Sequence, residues 1–418
     1  MNTILITIFL NYLGVEWQKT YGGILDEAGF SLVESNDSHY IILGNTHSFG
    51  NGGSDIYIIK INKNGDTLWT KFYGTQNDEF SHSIKEYNGN YIIVGNTQLP
   101  DSSESDIYIL KINKNGNLIF EEIIETPSWE YPRDFEISEN GDIIIAGSIK
   151  PEGGDFNLYV SKIDSLGNMI WQKRYGGNAD DFGYSICKTE NGYMIVGYTF
   201  SFGNGGSDIY LIKINENGDT LWTNTFGREE NDYGFFIAKD DDGNYIICGS
   251  SYWLLLGYEI CYMKISPDGN SIWQKYNGSL SNDFAWCMGK TYDNGYVITG
   301  NFGTLVWLLK TDSIGLPLWS EMYGGNGFET GYFIKVLKDT SYIIVGKTNS
   351  FGAGGYDVYV IKTTKDIKVK EKIKLYNRKI SKELKIFDIS GKKILKTEKK
   401  GIYFKILNTS KEKLIIIK

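Results

Sequence analysis

One unit of about fifty residues occurs seven times between Val15 and Thr363, and this periodicity constrains the fold more than any other feature of the chain. Aligning on a single aromatic position gives Trp17, Trp69, Phe120, Trp171, Trp222, Trp273 and Trp319, with spacings of 52, 51, 51, 51, 51 and 46 residues. The fullest copy begins at Asp181 and is divided by turn residues into four short apolar runs. These cover residues 183–189, 193–199, 208–214 and 220–226, separated by Asn191-Gly192, by the glycine-rich loop 201–207 and by Asn217-Gly218. Asn-Gly and Asp-Gly supply the positive φ values that tight hairpins demand. Equivalents recur at Asn64-Gly65, Asn115-Gly116, Asp268-Gly269 and Asn294-Gly295. Each unit therefore reads as an antiparallel four-stranded meander. A sheet that is apolar on both faces cannot bury itself, so neighbours must stack, and a repeating four-stranded unit of this length is the signature of a propeller blade. The expectation is an all-β chain: a seven-bladed β-propeller of four-stranded antiparallel blades, followed by a small C-terminal β module.

The ends of the array sharpen this. The chain enters with a lone fourth strand, residues 15–21, and leaves after a third strand, residues 357–363. Together they complete one blade, so the N-terminal strand is expected to close the ring and remove the open edges that invite aggregation. The organisation resembles the kelch and quinoprotein types of bacterial β-propeller repeat protein. It lacks the Gly-Gly pair that ends the second kelch strand and any quinoprotein cofactor set, so the resemblance implies architecture alone. With 15% aromatic residues and 49 Gly against 6 Pro, the composition suits many short strands joined by tight turns.

Charge and rare residues bound the function. The first 363 residues carry 45 acidic and 24 basic side chains, which argues against nucleic acid as a partner because phosphate binding draws on clustered Lys and Arg. Residues 364–418 reverse the balance, with 18 basic and 6 acidic side chains. No stretch approaches the roughly 20 apolar residues a membrane helix needs. The apolar residues 4–10 resemble the h-region of a secretory signal without a basic n-region or a cleavage site, so residues 1–14 are read as a truncated signal segment. Cys187, Cys248, Cys261 and Cys287 show no metal spacing and fall inside apolar runs, so buried thiols are expected, with a Cys248–Cys261 bridge left open. Three His argue against a His-rich metal centre. A closed ring is expected to be monomeric.

Two loop sets share one face of such a propeller: those between the second and third strands and those leading from one blade to the next. Both carry acids, one at Glu27, Glu79, Asp181, Asp232, Asp283 and Glu329, the other at Asp55, Asp106, Asp155, Asp208, Glu259 and Asp357. An acidic face suits calcium. A residue present in nearly every blade is better explained by what every blade needs, which is an acceptor for the turn's backbone N–H groups. By the same rule the aromatic series headed by Trp17 packs between blades, and a ligand site should break the repeat. Three blades break it on this face. Blade five replaces the glycine loop with residues 250–257, which include Tyr252 and Trp253. Blade three enters through Trp129-Glu130-Tyr131-Pro132-Arg133-Asp134, and blade six shortens its loop around Phe302-Gly303. Tyr252, Trp253, Trp129, Tyr131, Arg133 and Phe302 are therefore the candidate ligand residues, forming an aromatic depression for a glycan or a peptide. No catalytic residue and no metal ligand stands out. The reading is a binding or scaffolding module, with an extracellular polysaccharide-active hydrolase or lyase as the alternative.

After a linker at residues 364–372 comes an alternating segment: Leu-Lys-Ile-Phe-Asp-Ile-Ser-Gly-Lys-Lys-Ile at 384–394, Gly-Ile-Tyr-Phe-Lys-Ile at 401–406 and Lys-Leu-Ile-Ile-Ile-Lys at 413–418. Residues 373–418 resemble the C-terminal sorting domain of proteins exported by the type IX secretion system of Bacteroidetes-like bacteria. The resemblance implies the secretion machinery as a partner and a secreted or cell-surface location.

Overall fold

The computed structural model describes residues 13–99, 104–254, 256–279 and 281–366, together with five short strand segments nearer the termini. Two compact units result, Val15–Thr363 and a terminal unit of Met1–Gly14 with Thr364–Lys418.

The larger unit is a ring of seven four-stranded antiparallel sheets with no helix among the described residues. Blade one runs from Glu27–Glu34 to Thr67–Tyr73, and blades two to six follow, opening with Asp78–Tyr87, Ser128–Ile137, Asp181–Thr189, Asp232–Lys239 and Asp283–Lys290. Blade seven consists of Glu329–Val336, Tyr342–Thr348 and Asp357–Thr363, with Val15–Tyr21 as its outer strand. That closing strand pairs antiparallel, from Val15 opposite Thr363 to Tyr21 opposite Val358. One apolar cluster then runs across the closure, joining Ile59 and Tyr57 of blade one to Val345 and Val360 of blade seven.

Burial follows position within the blade. The second and third strands lie between two neighbouring sheets, so Tyr40–Thr46 and Asp55–Ile61 are buried at every residue. Outer strands such as Thr67–Tyr73 are half exposed. Six of the seven outer-strand aromatics lie on the hairpin glycine of the next blade; the exception is Trp319, because blade seven takes its outer strand from residues 15–21 and has no hairpin there. An added Cβ on Gly218 would sit 2.9 Å from the Trp171 ring, and on Gly116 3.0 Å from Trp69. Both glycines have positive φ, 77° and 74°, so this position needs glycine for its backbone and again for the indole above it.

The first strand of every blade runs from the face bearing the blade-to-blade connections, here the entry face, to the face bearing the tight hairpins. On the hairpin face, third-strand lysines hold turn carboxylates: Lys60 with Asp37 at 2.8 Å, Lys162 with Asp142 at 3.1 Å, Lys264 with Asp240 at 2.6 Å and Lys310 with Asp293 at 2.5 Å. All four cysteines are buried and free, so the bridge between Cys248 and Cys261 is not formed.

In the terminal unit Phe404–Thr409 pairs with Glu412–Ile417, which also pairs with Leu5–Thr7, and Ile386–Phe387 pairs with Lys393–Ile394. Residues 13 and 14 apart, the remainder of the signal-like residues 1–14 and of the sorting-like residues 373–418 lies outside the described residues, as do the side chains of the five strand segments.

Candidate functional site: the central channel and the entry face

Every first strand carries a β-bulge at the same place, for example between Gly29 and Ser31, Ser81 and Ser83, and Pro132 and Asp134. The extra residues are Phe30, His82, Arg133, Tyr184, Phe235, Trp286 and Tyr332. A bulge leaves its extra residue unpaired and re-aims it, and here all seven line the central cavity. They form a constriction. Ring centroids are 5.3 Å apart for Phe30 and Tyr332, 5.7 Å for Tyr332 and Trp286, 4.5 Å for Trp286 and Phe235, and 5.1 Å for Phe235 and Tyr184. The Arg133 guanidinium lies 5.2 Å from the Tyr184 ring, and His82 Nε2 is 2.8 Å from Asn96 Oδ1. Burial, assisted by the Arg133 charge, pushes the His82 pKa down to about 3, so this imidazole is neutral at physiological pH.

A cavity of about 550 Å³ extends from this constriction toward the hairpin face. In every blade its lining begins at the bulge residue and includes nothing before it. Blades two and three contribute an ionic cluster. Asp134 accepts hydrogen bonds from Ser83 Oγ at 2.9 Å, Ser185 Oγ at 2.9 Å, the Phe135 N–H at 2.8 Å and the Ile186 N–H at 3.2 Å. Lys85 Nζ is 2.9 Å from Glu136 and 4.0 Å from Asp134. Burial works against the Lys85 charge, but the two carboxylates overcome it and hold the pKa above its ordinary value.

On the entry-face side of the constriction lies a second aromatic system. Tyr131 meets Phe156 at 5.8 Å, Phe156 meets Phe182 at 5.0 Å, and Phe182 meets Tyr198 at 4.7 Å. Tyr198 meets Tyr233 at 4.7 Å, Tyr233 meets Tyr258 at 5.6 Å, and Tyr258 meets Phe284 at 5.1 Å. The belt spans blades three to six on one side of the ring, and its members are half-buried. In blades seven and one the level of Tyr131 is held by Thr330 and Ala28, which bear no ring.

The six residues expected to bind ligand occupy different places. Tyr131 opens the belt, and Tyr252 adjoins it through Tyr258 at 5.1 Å. Arg133 belongs to the constriction, because residues 129–134 form strand rather than loop. Trp129 lies beneath Lys150, 5.8 Å from its ammonium. Trp253 is 42% exposed and faces Arg228, which is also 3.5 Å from the Tyr276 ring on the outer strand of the blade. Phe302 packs edge-on against Trp307 at 5.0 Å. Tyr252 and Trp253 also extend a strand, Tyr245–Trp253, into what reads as a loop in sequence.

The repeated acids serve the turns. Glu79 accepts from the Thr75 N–H at 2.8 Å and from Thr97 Oγ1 at 2.9 Å, and Asp208 accepts from the Asn204 N–H at 2.8 Å. Blade three keeps this feature, since Glu130 is fully buried beside Thr126. At each of several junctions two carboxylates flank one glycine. A Cβ on Gly74 would lie 2.3 Å from both Asp55 and Glu79, and one on Gly22 would lie 2.2 Å from Asp357 and 2.3 Å from Glu27. Among the described residues no three His, Cys, Asp or Glu side chains gather as a metal site would require.

Apart from Arg133 in the constriction and Tyr131 in the belt, the residues of both features were missed in the sequence. The signal was present: one first-strand position is aromatic in five blades yet changes identity in nearly every one.

No family model matches the chain. It is 26% identical over 178 residues to the regulatory protein FlaEY of Caulobacter vibrioides, covering 36% of this chain and 18% of that protein. The chain thus spans less than a fifth of that relative. Among solved structures it is similar to the extracellular domain of the putative hybrid two component system BT4673 of B. thetaiotaomicron, with 13% identity, a TM-score of 0.45, and coverage of 88% of this chain and 43% of the other. It is also similar to the polysaccharide lyase Uly1, with 10% identity, a TM-score of 0.49, and coverage of 88% and 98%.

Proposed function

We propose that the propeller is a carbohydrate-binding module whose recognition surface is the aromatic belt over blades three to six. The observation that carries this is the continuity of the belt, from Tyr131 through Tyr198 and Tyr233 to Phe284, with successive ring centroids no more than 5.8 Å apart. A pyranose presents a flat C–H face, and aromatic side chains in a half-sheltered cleft meet such a face at little conformational cost. Hydroxyls of Tyr233 and Tyr258, 3.2 Å apart, supply polar contacts beside the rings. A glycan array compares the wild type with Tyr258→Ala and with the Tyr252→Ala, Trp253→Ala double variant. Loss of signal in Tyr258→Ala at unchanged melting temperature is expected, and a wild type that binds no glycan refutes the reading.

A polysaccharide-active enzyme is the second reading, favoured by one observation: Lys85, Asp134 and Glu136, from blades two and three, form the one ion-paired cluster among the described residues that line the cavity. Both Asp134 oxygens are engaged and Glu136 is paired with Lys85, so the cluster offers no free acid or base. New reducing ends or unsaturated products released from an array-positive glycan, and lost in Glu136→Gln, are the result that favours catalysis over binding.

The proposal extends to a secreted or cell-surface location, supported by the sequence of residues 373–418. A reporter fused to those residues in a type IX-competent host is expected outside the cell, and retention in the periplasm counts against export.

A further inference from the structure

We propose that the hairpin-face half of the central channel is a separate binding site for an acidic oligosaccharide, with Lys188, Lys239 and Lys335 taking its anionic groups. Three observations converge. The first is electrostatic: although the first 363 residues are strongly acidic, the cavity is lined by five cationic side chains and two anionic ones. A low-dielectric pocket of one sign concentrates the field and the opposite charge.

The second concerns pairing. On the third strands Lys60, Lys162, Lys264, Lys310 and Lys362 pair with carboxylates, whereas Lys213 Nζ donates to the Pro267 carbonyl and Lys111 forms no ion pair among the described residues. Lys188, Lys239 and Lys335 have no ion-pair partner among the described residues either, but these three line one and the same cavity. Three ammonium groups left unpaired at one mouth are poised for an external anion.

The third is the inner end of the cavity, which is aromatic. There Trp286 meets Phe235 on one side and Tyr332 on the other, ring to ring. A free inorganic anion would use the lysines alone, whereas a sugar bearing carboxylate or sulfate groups uses both features: its C–H face against the rings and its charges at the lysines. At about 550 Å³ the space lies within the range of small-ligand sites. The belt lies on the other side of the constriction, where its Tyr233 and Phe284 stack on Phe235 and Trp286 at 5.9 and 6.0 Å, and none of its residues lines this cavity.

Isothermal titration of the full chain at low salt uses short oligogalacturonides, sulfated heparin fragments, neutral oligosaccharides of equal length and inorganic phosphate. Saturable binding of one or both acidic sugars is expected, and which arm responds identifies carboxylate or sulfate as the recognised group. Affinity should fall as salt is raised. The Lys188→Gln, Lys239→Gln, Lys335→Gln variant, which breaks no ion pair, is expected to melt as the wild type does and to bind about tenfold more weakly or worse. Lys239→Glu alone is the second variant should the triple one be unstable. Tyr258→Ala is expected to leave this binding intact. Equal binding of neutral sugar or of phosphate, binding by neither acidic sugar, full affinity in the lysine variants, or loss in Tyr258→Ala would each overturn the proposal.

Discussion

Asp134 shows how much one side chain can hold in this ring. It takes hydroxyl bonds from Ser83 in blade two and Ser185 in blade four, and backbone bonds from Phe135 and Ile186, so three blades meet at one carboxylate. Asp134→Ala would leave those donors unsatisfied and Lys85 with Glu136 alone. The expected loss is about 2 to 3 kcal/mol, read by denaturant or thermal unfolding; a variant as stable as the wild type would mean that water replaces the carboxylate without penalty. At this scale the sequence was legible where chemistry repeats. Asking what every blade needs identified the acids at Glu79, Asp181 and Asp208 as turn acceptors. The same rule failed for Phe30, His82, Arg133, Tyr184, Phe235, Trp286 and Tyr332. Strict alternation along a strand cannot register the one extra residue of a bulge, so six of these side chains do not stand out in the sequence, and Arg133 reads as part of an entry loop.

Between elements, the contact that recurs most regularly is an outer-strand aromatic on the next blade's hairpin glycine. Gly218 has φ of 77° and the Trp171 ring at 2.9 Å from an added Cβ, whereas Gly89 has φ of 75° and nothing within 4 Å. Alanine at Gly89 meets backbone strain alone, of about 1 kcal/mol. Alanine at Gly218 meets that strain and also displaces the indole, so it is expected to lose measurably more stability than Gly89→Ala in the same unfolding assay. Equal losses would reduce the interblade contact to a bystander. Strand order is readable from the Asn-Gly and Asp-Gly pairs, because hairpin geometry is written in two residues. The length of the blade-five strands is not. Tyr252 and Trp253 pair across to Tyr258 and Gly257 through backbone groups, and nothing in side-chain identity distinguishes such pairing from an apolar loop.

For the molecule as a whole, closure and charge layering set stability. Deleting residues 15–21 would strip the outer strand from blade seven and expose the edge of Asp357–Thr363. The expected result is a lower melting temperature with oligomers on a sizing column, and an unchanged melt and monomeric elution would refute closure by this strand. The two faces of the ring also respond oppositely to pH. On the entry face, burial and then the Asp106 charge push Glu130 up to about 7 from an ordinary 4.5, while burial, reinforced by Asp232, pushes Asp208 up to about 6 from 3.8. Glu79, Asp232, Asp283 and Asp357 are raised as well, burial being the first cause in each. On the hairpin face burial also opposes ionisation, but hydrogen bonds from Lys60, Lys264 and Lys310 hold Asp37, Asp240 and Asp293 below 3.8. A raised carboxylate contributes stability that is full below its unfolded pKa and is lost as pH rises through the folded one. A depressed carboxylate contributes stability that is full above its unfolded pKa and is lost as pH falls toward the folded one. Stability should therefore rise on acidification from pH 8 to about 5, and fall below about pH 4. Glu130→Gln keeps the shape of the buried side chain and removes its titration, so the rise should shrink by no more than about 3 kcal/mol, with the variant more stable than the wild type at pH 8. Calorimetric melts across this range decide it, and a wild-type profile flat between pH 5 and 8 would show that the junction carboxylates are not under the strain their burial implies.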